Sequence, residues 1–248
     1  HTRYWRDWSS DVCSSDLEFE DVQNSQIDLL LDQLEVVLEE KRGNVRDILN
    51  VIDELLRIAQ TLSSSSSSIQ ADLRKLFLSP TSSRNRKSMQ EQERRDYRLA
   101  WVGSDDAICH IGTGLHKVPL ARMQEVFMNC LGRNRIEILE VISLLGPFPN
   151  VKNILKGTTE VISSGPSVSI QITMDSMVDG TGKEILAGTD DDIRRVNLQV
   201  VFADERVIVA VVPSPVNNIN PLDDDGRRVL LFVKENELDE KLNKLRVD

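Results

Sequence analysis

The chain changes its hydrophobic period once, near residue 97. Before that point Ile27, Leu30, Leu31, Leu34, Val37 and Leu38, then Ile48, Val51, Ile52, Leu55, Leu56 and Ala59, recur at three- and four-residue steps, the spacing of one apolar stripe on a helix. The stripe breaks at Lys41-Arg42-Gly43-Asn44, where a glycine closes one helix and an asparagine caps the next. The pattern predicts a helical hairpin over residues 18–62, with a coiled coil against a partner as the alternative for so apolar a pair. A run of six serines at 63–68 follows. It buries no apolar area and disfavours helix, so residues 63–95 are expected to be a linker carrying one short helix with Ile69, Leu73, Leu76 and Phe77 on its apolar face.

Beyond residue 97 the period becomes two. Val168, Ile170, Ile172 and Met174 alternate with Ser169, Gln171 and Thr173, and Val196, Leu198, Val200 and Phe202 alternate with Asn197 and Gln199, as in half-buried antiparallel strands. Residues 207–212 and 229–233 are apolar on both parities, as expected where a sheet closes on itself. Turns are predicted at Ser164-Gly165-Pro166, Asp179-Gly180-Thr181-Gly182, Ala203-Asp204-Glu205-Arg206 and Asp225-Gly226. Residues 120–131 fit helix and strand alike. A short helix over 237–248 ends the chain. The expected fold is α+β: N-terminal helices, an antiparallel β-barrel over 96–236, and a C-terminal helix.

Composition narrows the function. The formal net charge is −10, which argues against nucleic acid, whose partners displace phosphate counterions with Lys and Arg. Three cysteines, Cys13, Cys109 and Cys130, and no glycosylation sequon favour a reducing compartment. No apolar run is long enough for a spanning helix, so membrane contact is expected to be peripheral. Residues 1–17 stand apart: from Asp7 to Leu17 they resemble a common sequencing-library adapter translated in frame, and the native chain is expected to begin near Glu18.

Chemistry is sparse. Cys109-His110 invites a nucleophile and base, but strand neighbours point to opposite faces. His116 stands alone. Asp190-Asp191-Asp192 and Asp223-Asp224-Asp225-Gly226 suggest calcium, yet a loop from Asp224 has Val229 where an EF-hand needs glycine. No phosphate loop, nucleophile elbow or zinc-protease helix motif occurs, and Gly112-Thr113-Gly114 reads as a turn. No cofactor is implied. Gly146-Pro147-Phe148-Pro149-Asn150 sets an aromatic ring on a stiff corner, either capping the core or forming a portal or membrane-dipping tip.

A series of short motifs, in order, resembles the plastid lipid-associated (fibrillin) family: Lys41-Arg42-Gly43, Tyr97-Arg98-Leu99-Ala100-Trp101, Pro119-Leu120-Ala121-Arg122-Met123 with Val126-Phe127, Asp204-Glu205-Arg206-Val207-Ile208, and Val229-Leu230-Leu231-Phe232-Val233. The resemblance covers residues 27–234. It implies a lipocalin-like barrel and a plastid protein at thylakoids or lipid globules that binds an apolar lipid or isoprenoid without catalysing a reaction. Strand parity offers Trp101, Phe127, Val168, Ile170, Ile172, Met174, Leu198, Val200 and Phe202 as inward residues for such a ligand, though the same set would fill a solid core. In the latter case the protein is expected to act as an interaction module, binding a plastid complex through its helices. An isomerase or cyclase would need acids and bases inside the barrel, and parity supplies almost none.

Overall fold

The computed structural model describes residues 14–39, 44–61, 73–77, 94–164, 167–214 and 226–245. The serine run and the second aspartate cluster at 223–225 lie outside them. Two compact units result, residues 1–58 and 59–248. The first holds helix α1 (Ser14–Glu39) and helix α2 (Val45–Thr61), so the helical backbone extends into the adapter-like stretch at residues 14–17. Of the predicted stripes, Leu31 and Leu34 on α1 and Ile48, Val51, Ile52, Leu55 and Leu56 on α2 are buried, joined by Ile58, while Ile27, Leu30, Val37 and Leu38 are half-buried.

The second unit is an antiparallel sheet of nine strands that curls into a ring. The strands are β1 (Arg95–Val102), β2 (Ala121–Cys130), β3 (Arg135–Leu144), β4 (Val151–Ser164), β5 (Ser167–Val178), β6 (Glu184–Leu186), β7 (Arg194–Ala203), β8 (Val207–Val211) and β9 (Val229–Glu235). Each of β1 to β5 pairs with the next, β5 passes to β7, β7 to β8, β8 to β9, and β9 returns to β1. Strand β6 is an appendage on the end of β5. The return from β9 to β1 joins the two ends of the strand sequence, so β9 forms the closure and β8 lies next to it. They are apolar on both parities because both of their faces are buried.

The interior follows the two-residue period. Val168, Ile170, Ile172 and Met174 of β5 meet Val196, Leu198 and Val200 of β7 with Tyr97, Val126, Met128, Ile136, Ile138, Ile208, Leu230 and Phe232 in one core. Burying a side chain of this size contributes about 1.5–3 kcal/mol. Each end of the ring is stopped by a short helix. At one end α3, residues 73–77, inserts Leu73, Leu76 and Phe77 into the core. It is tied there by Asn134 N–H donating to the Phe77 carbonyl at 2.9 Å and by the Arg95 guanidinium donating to the Lys75 carbonyl at 3.0 Å. The short helix expected within residues 63–95 is thus part of the core of the ring, while residues 63–72 and 78–93 lie outside the described residues.

At the other end stands α4 (Asp105–Ile111), contributing Ala107, Ile108 and Ile111. Ser104 caps it, accepting from the Ala107 N–H at 3.3 Å, and Asp105 and Asp106 sit in its positive first turn. Cys109 and His110 are therefore helical, not on a strand. Residues 121–130, ambiguous in the sequence, form a strand, and the final helix α5 (Leu238–Lys244) covers its outer face: Phe127, Leu139 and Val141 are buried with Leu238. Because that outer face is apolar too, its alternation is erased.

Candidate functional site

The wall of the ring opens between β1 and β2. Their pairing runs only from Arg95↔Cys130 to Arg98↔Phe127, while β1 stays with β9 as far as Val102 and β2 with β3 as far as Ala121. Both strands carry a register shift just past the last shared pair, at Leu99/Trp101 and at Met123/Glu125. A bulge bends its strand and strengthens the local twist. Two facing bulges splay the strands and leave a cleft of about 590 Å³, within the usual size range of small-molecule sites. Leu99, Trp101, Val102, Met123 and Val126 form its walls, Ile108 and His116 its back, and Asp105, Arg122 and Glu125 bring charge. Burial pushes the Glu125 carboxyl above its usual range, opposed by the charges of Arg98 and Lys241.

The rim of the cleft continues into an apolar crown. The 3₁₀ turn Leu115–Lys117 and the residues after it lead into β2, and Leu145 N–H donates to the Leu120 carbonyl at 2.8 Å, joining that loop to the corner after β3. Leu115, Val118, Leu120, Leu144, Leu145 and Phe148 are all exposed along this edge, Leu120, Leu145 and Phe148 at 67, 66 and 64 %. Leu120 holds φ at +74°, a backbone region costly for a side chain. Phe148 thus does not cap the core.

Behind the cleft lies a buried polar layer. Glu140 of β3 is fully buried, opposite Val126 on one side and Asn153 on the other. Its carboxylate accepts from the Thr113 N–H at 2.8 Å and from the Thr113 hydroxyl at 2.5 Å. Arg194 of β7 reaches the same loop, donating to the carbonyls of Cys109 at 2.5 Å, His110 at 2.8 Å and Gly112. Burial lowers the basicity of Arg194, and the charge of Glu140 works against that. The pair fastens the C-terminal turn of α4, where the carbonyl ends are unpaired within the helix. A Cβ at Gly112 would lie 1.9 Å from the Glu140 carboxylate, so a larger residue there would have to push that side chain off Thr113.

Of the nine residues proposed from parity, one lines the cleft. Trp101 does, being half-buried on the bulged end of β1. Val168, Ile170, Ile172, Met174, Leu198 and Val200 are packed into the core. Phe127 faces outward beneath α5. Phe202 also fails the inward assignment: a register shift between Val200 and Phe202 pairs it with Val209, and Ala203 takes the inward place. Tyr97, fully buried with its hydroxyl donating to the Glu205 carbonyl at 3.0 Å, was overlooked. So was Glu140, an acid within the ring.

The aspartates at 190–192 serve their own turn, with Asp192 accepting from the N–H and hydroxyl of Thr189 at 2.9 and 3.0 Å. Among the described residues no group of three or more His, Cys, Asp and Glu could hold a metal, and no helix is long and apolar enough to cross a membrane. Comparisons with protein-family models, with curated proteins and with solved structures found no match.

Proposed function

We propose that this protein is a non-enzymatic lipid-associated protein of the plastid fibrillin kind, with a lipocalin-like barrel that rests on a thylakoid or lipid-globule surface and takes an apolar lipid or isoprenoid into the β1–β2 cleft. The observation that carries the reading is the exposed crown of Leu115, Val118, Leu120, Leu144, Leu145 and Phe148 on the same edge as the cleft mouth. Contiguous apolar surface of this kind is costly in water and marks an interaction or membrane site. In this reading the entrance would stand beside the phase in which an apolar ligand is dissolved. The cleft suits an amphipathic occupant: an apolar body against Leu99, Trp101, Val102 and Met123, with a polar end near His116 or Arg122.

The resemblance motifs add support. Residues 97–101 are on β1, 119–123 lead into β2, 204–208 form the turn into β8, and 229–233 are on β9. In the ring β8, β9, β1 and β2 are consecutive neighbours, so motifs far apart in sequence meet around one wall.

The test has two arms. Flotation with phosphatidylcholine vesicles and with phospholipid-coated triacylglycerol droplets should carry the protein upward, and Leu145→Asp with Phe148→Asp should abolish it. Thermal unfolding with an isoprenoid quinone or a fatty acid should then show stabilisation, about 2.7 kcal/mol at a hundredfold excess over Kd, lost in Trp101→Ala. Absence of flotation together with an unchanged Tm across these ligands overturns the proposal and favours an interaction protein.

A further inference from the structure

Within the loop after α4 the chain doubles back, and His116 returns to the thiol that His110 cannot reach. Cys109 Sγ lies 3.8 Å from His116 Nε2, whereas His110 turns away to the Asn197 carbonyl at 3.0 Å. The return is made by Gly114, whose φ of +75° is a left-handed conformation. Two cations act on the same sulfur by charge. The Lys117 ammonium is within electrostatic reach of the thiol and pairs with Asp106 at 2.6 Å. The Arg194 guanidinium interacts with it by charge and holds the Cys109 carbonyl at 2.5 Å. Cys109 is half-buried, with part of its surface open.

We propose that Cys109 is a covalent capture site for α,β-unsaturated carbonyl compounds, with His116 as its base. A nucleophile, an imidazole at sulfur contact distance and two cations within electrostatic reach together meet the needs of conjugate addition. His116 Nε2 takes the thiol proton, which requires the neutral tautomer with hydrogen on Nδ1. The sulfur lone pair forms a bond to the β-carbon, and the electrons of the C=C bond move to the carbonyl oxygen as an enolate. The imidazolium returns its proton to the α-carbon. Overall S–H adds across C=C, nothing is released, and no oxidant or reductant is consumed. Lys117 and Arg194 lower the energy of the negative charge as it passes from sulfur to oxygen. His116 also lines the cleft, so the base of the pair borders the space in which an apolar ligand would lodge. The inference goes beyond the lipid-carrier reading and stands without it.

The experiment is site-resolved mass spectrometry of the full chain treated with trans-2-hexenal, so that Cys13, Cys109 and Cys130 are read separately. Cys130 is fully buried and serves as the unreactive reference. Cys109 should acquire the adduct about tenfold or more faster than glutathione under the same conditions, and His116→Gln should remove most of that advantage, a modest share of what a positioned base supplies. Lys117→Gln should slow the reaction by a smaller factor. The melting temperature of His116→Gln without any ligand is measured alongside. An unchanged melting temperature with slow labelling shows an intact fold and supports the base role. Labelling of Cys109 no faster than glutathione, or a rate unchanged in His116→Gln, overturns the proposal. Should His116→Gln fail to fold, the wild-type comparison with glutathione and the effect of Lys117→Gln decide it.

Discussion

Glu140 holds Thr113 twice, by its backbone N–H at 2.8 Å and by its hydroxyl at 2.5 Å, and so anchors the loop behind the cleft to the inner face of β3. A carboxylate taken out of water must have such donors, because an uncompensated buried charge is far more costly than the bonds are worth. Glu140→Gln removes the charge that strengthens both bonds to Thr113 and leaves a single acceptor oxygen for the Thr113 N–H and hydroxyl. It should lower stability by about 1–3 kcal/mol, read as a shift in the urea midpoint, and Thr113→Ala should cost less. An unchanged midpoint in Glu140→Gln would show that the carboxylate does not secure the loop.

Core and cleft should answer differently to substitution. Ile170 is 1 % exposed within the ring, so Ile170→Phe should overpack it and cost about 1–3 kcal/mol without any ligand present. Trp101→Ala, on the half-open wall, should cost less while erasing ligand-induced stabilisation. Equal losses for both, measured by thermal unfolding of the apo protein, would mean that Trp101 is core.

The helix ahead of β1 is expected to be required. Phe77 is fully buried in the ring, so Phe77→Ala should destabilise by about 3–5 kcal/mol. A fragment beginning at Asp96 should then fail to give a cooperative unfolding transition. Should such a fragment unfold at the same temperature as the full chain, the end of the ring does not need its helical plug.

Alkaline pH should weaken the fold. Burial pushes the Cys130 thiol up to about 12 and the Tyr97 hydroxyl well above its usual range. Both groups are neutral in the folded protein at pH 7. The unfolded chain releases these protons first, at about 8.5 for cysteine and about 10 for tyrosine. Stability is thus fully present below about pH 8 and is lost as pH rises toward the folded values. Urea midpoints between pH 7 and pH 11 should fall, and Cys130→Ala should delay the onset of the fall into the tyrosine range. A flat profile would contradict the burial of both groups.

Gly157 tests the β4–β5 seam. A Cβ there would lie 2.1 Å from the Thr173 carbonyl oxygen, at a register shift in the pairing. Gly157→Ala must push backbone away from backbone, and should cost at least about 1–3 kcal/mol. Wild-type stability in circular-dichroism melts would show that the strands are not so closely apposed.

The parts of this fold visible in the sequence are those where one face is buried and the other is wet. Strand β5 is of this kind, as is β7 as far as Val200, and their inward residues there were read correctly. Phe127 was misread because α5 buries the outer side of β2, so both parities are apolar and period two carries no information. Phe202 was displaced by a register shift, which one extra residue can introduce without altering local composition, whereas Trp101 keeps its place on the cleft wall. The Cys109–His116 pair escaped because it depends on a loop reversal at Gly114, and sequence spacing does not report where a loop returns. The cleft itself arises from two bulges that happen to face one another, a relation between strands that neither strand encodes alone.

The pairing of Arg98 with Val233 has a temporal meaning as well as a spatial one. The ring joins its earliest strand to its last, so during synthesis or transport β1 must wait, one edge unpaired, until almost the entire chain is available. Such distant pairing slows folding, and waiting edges are templates for mispairing. The cell would have to shield this chain for as long as β9 is missing, and a shortened transcript lacking residues 229–235 would yield not a weaker ring but an open sheet prone to assemble with its own copies.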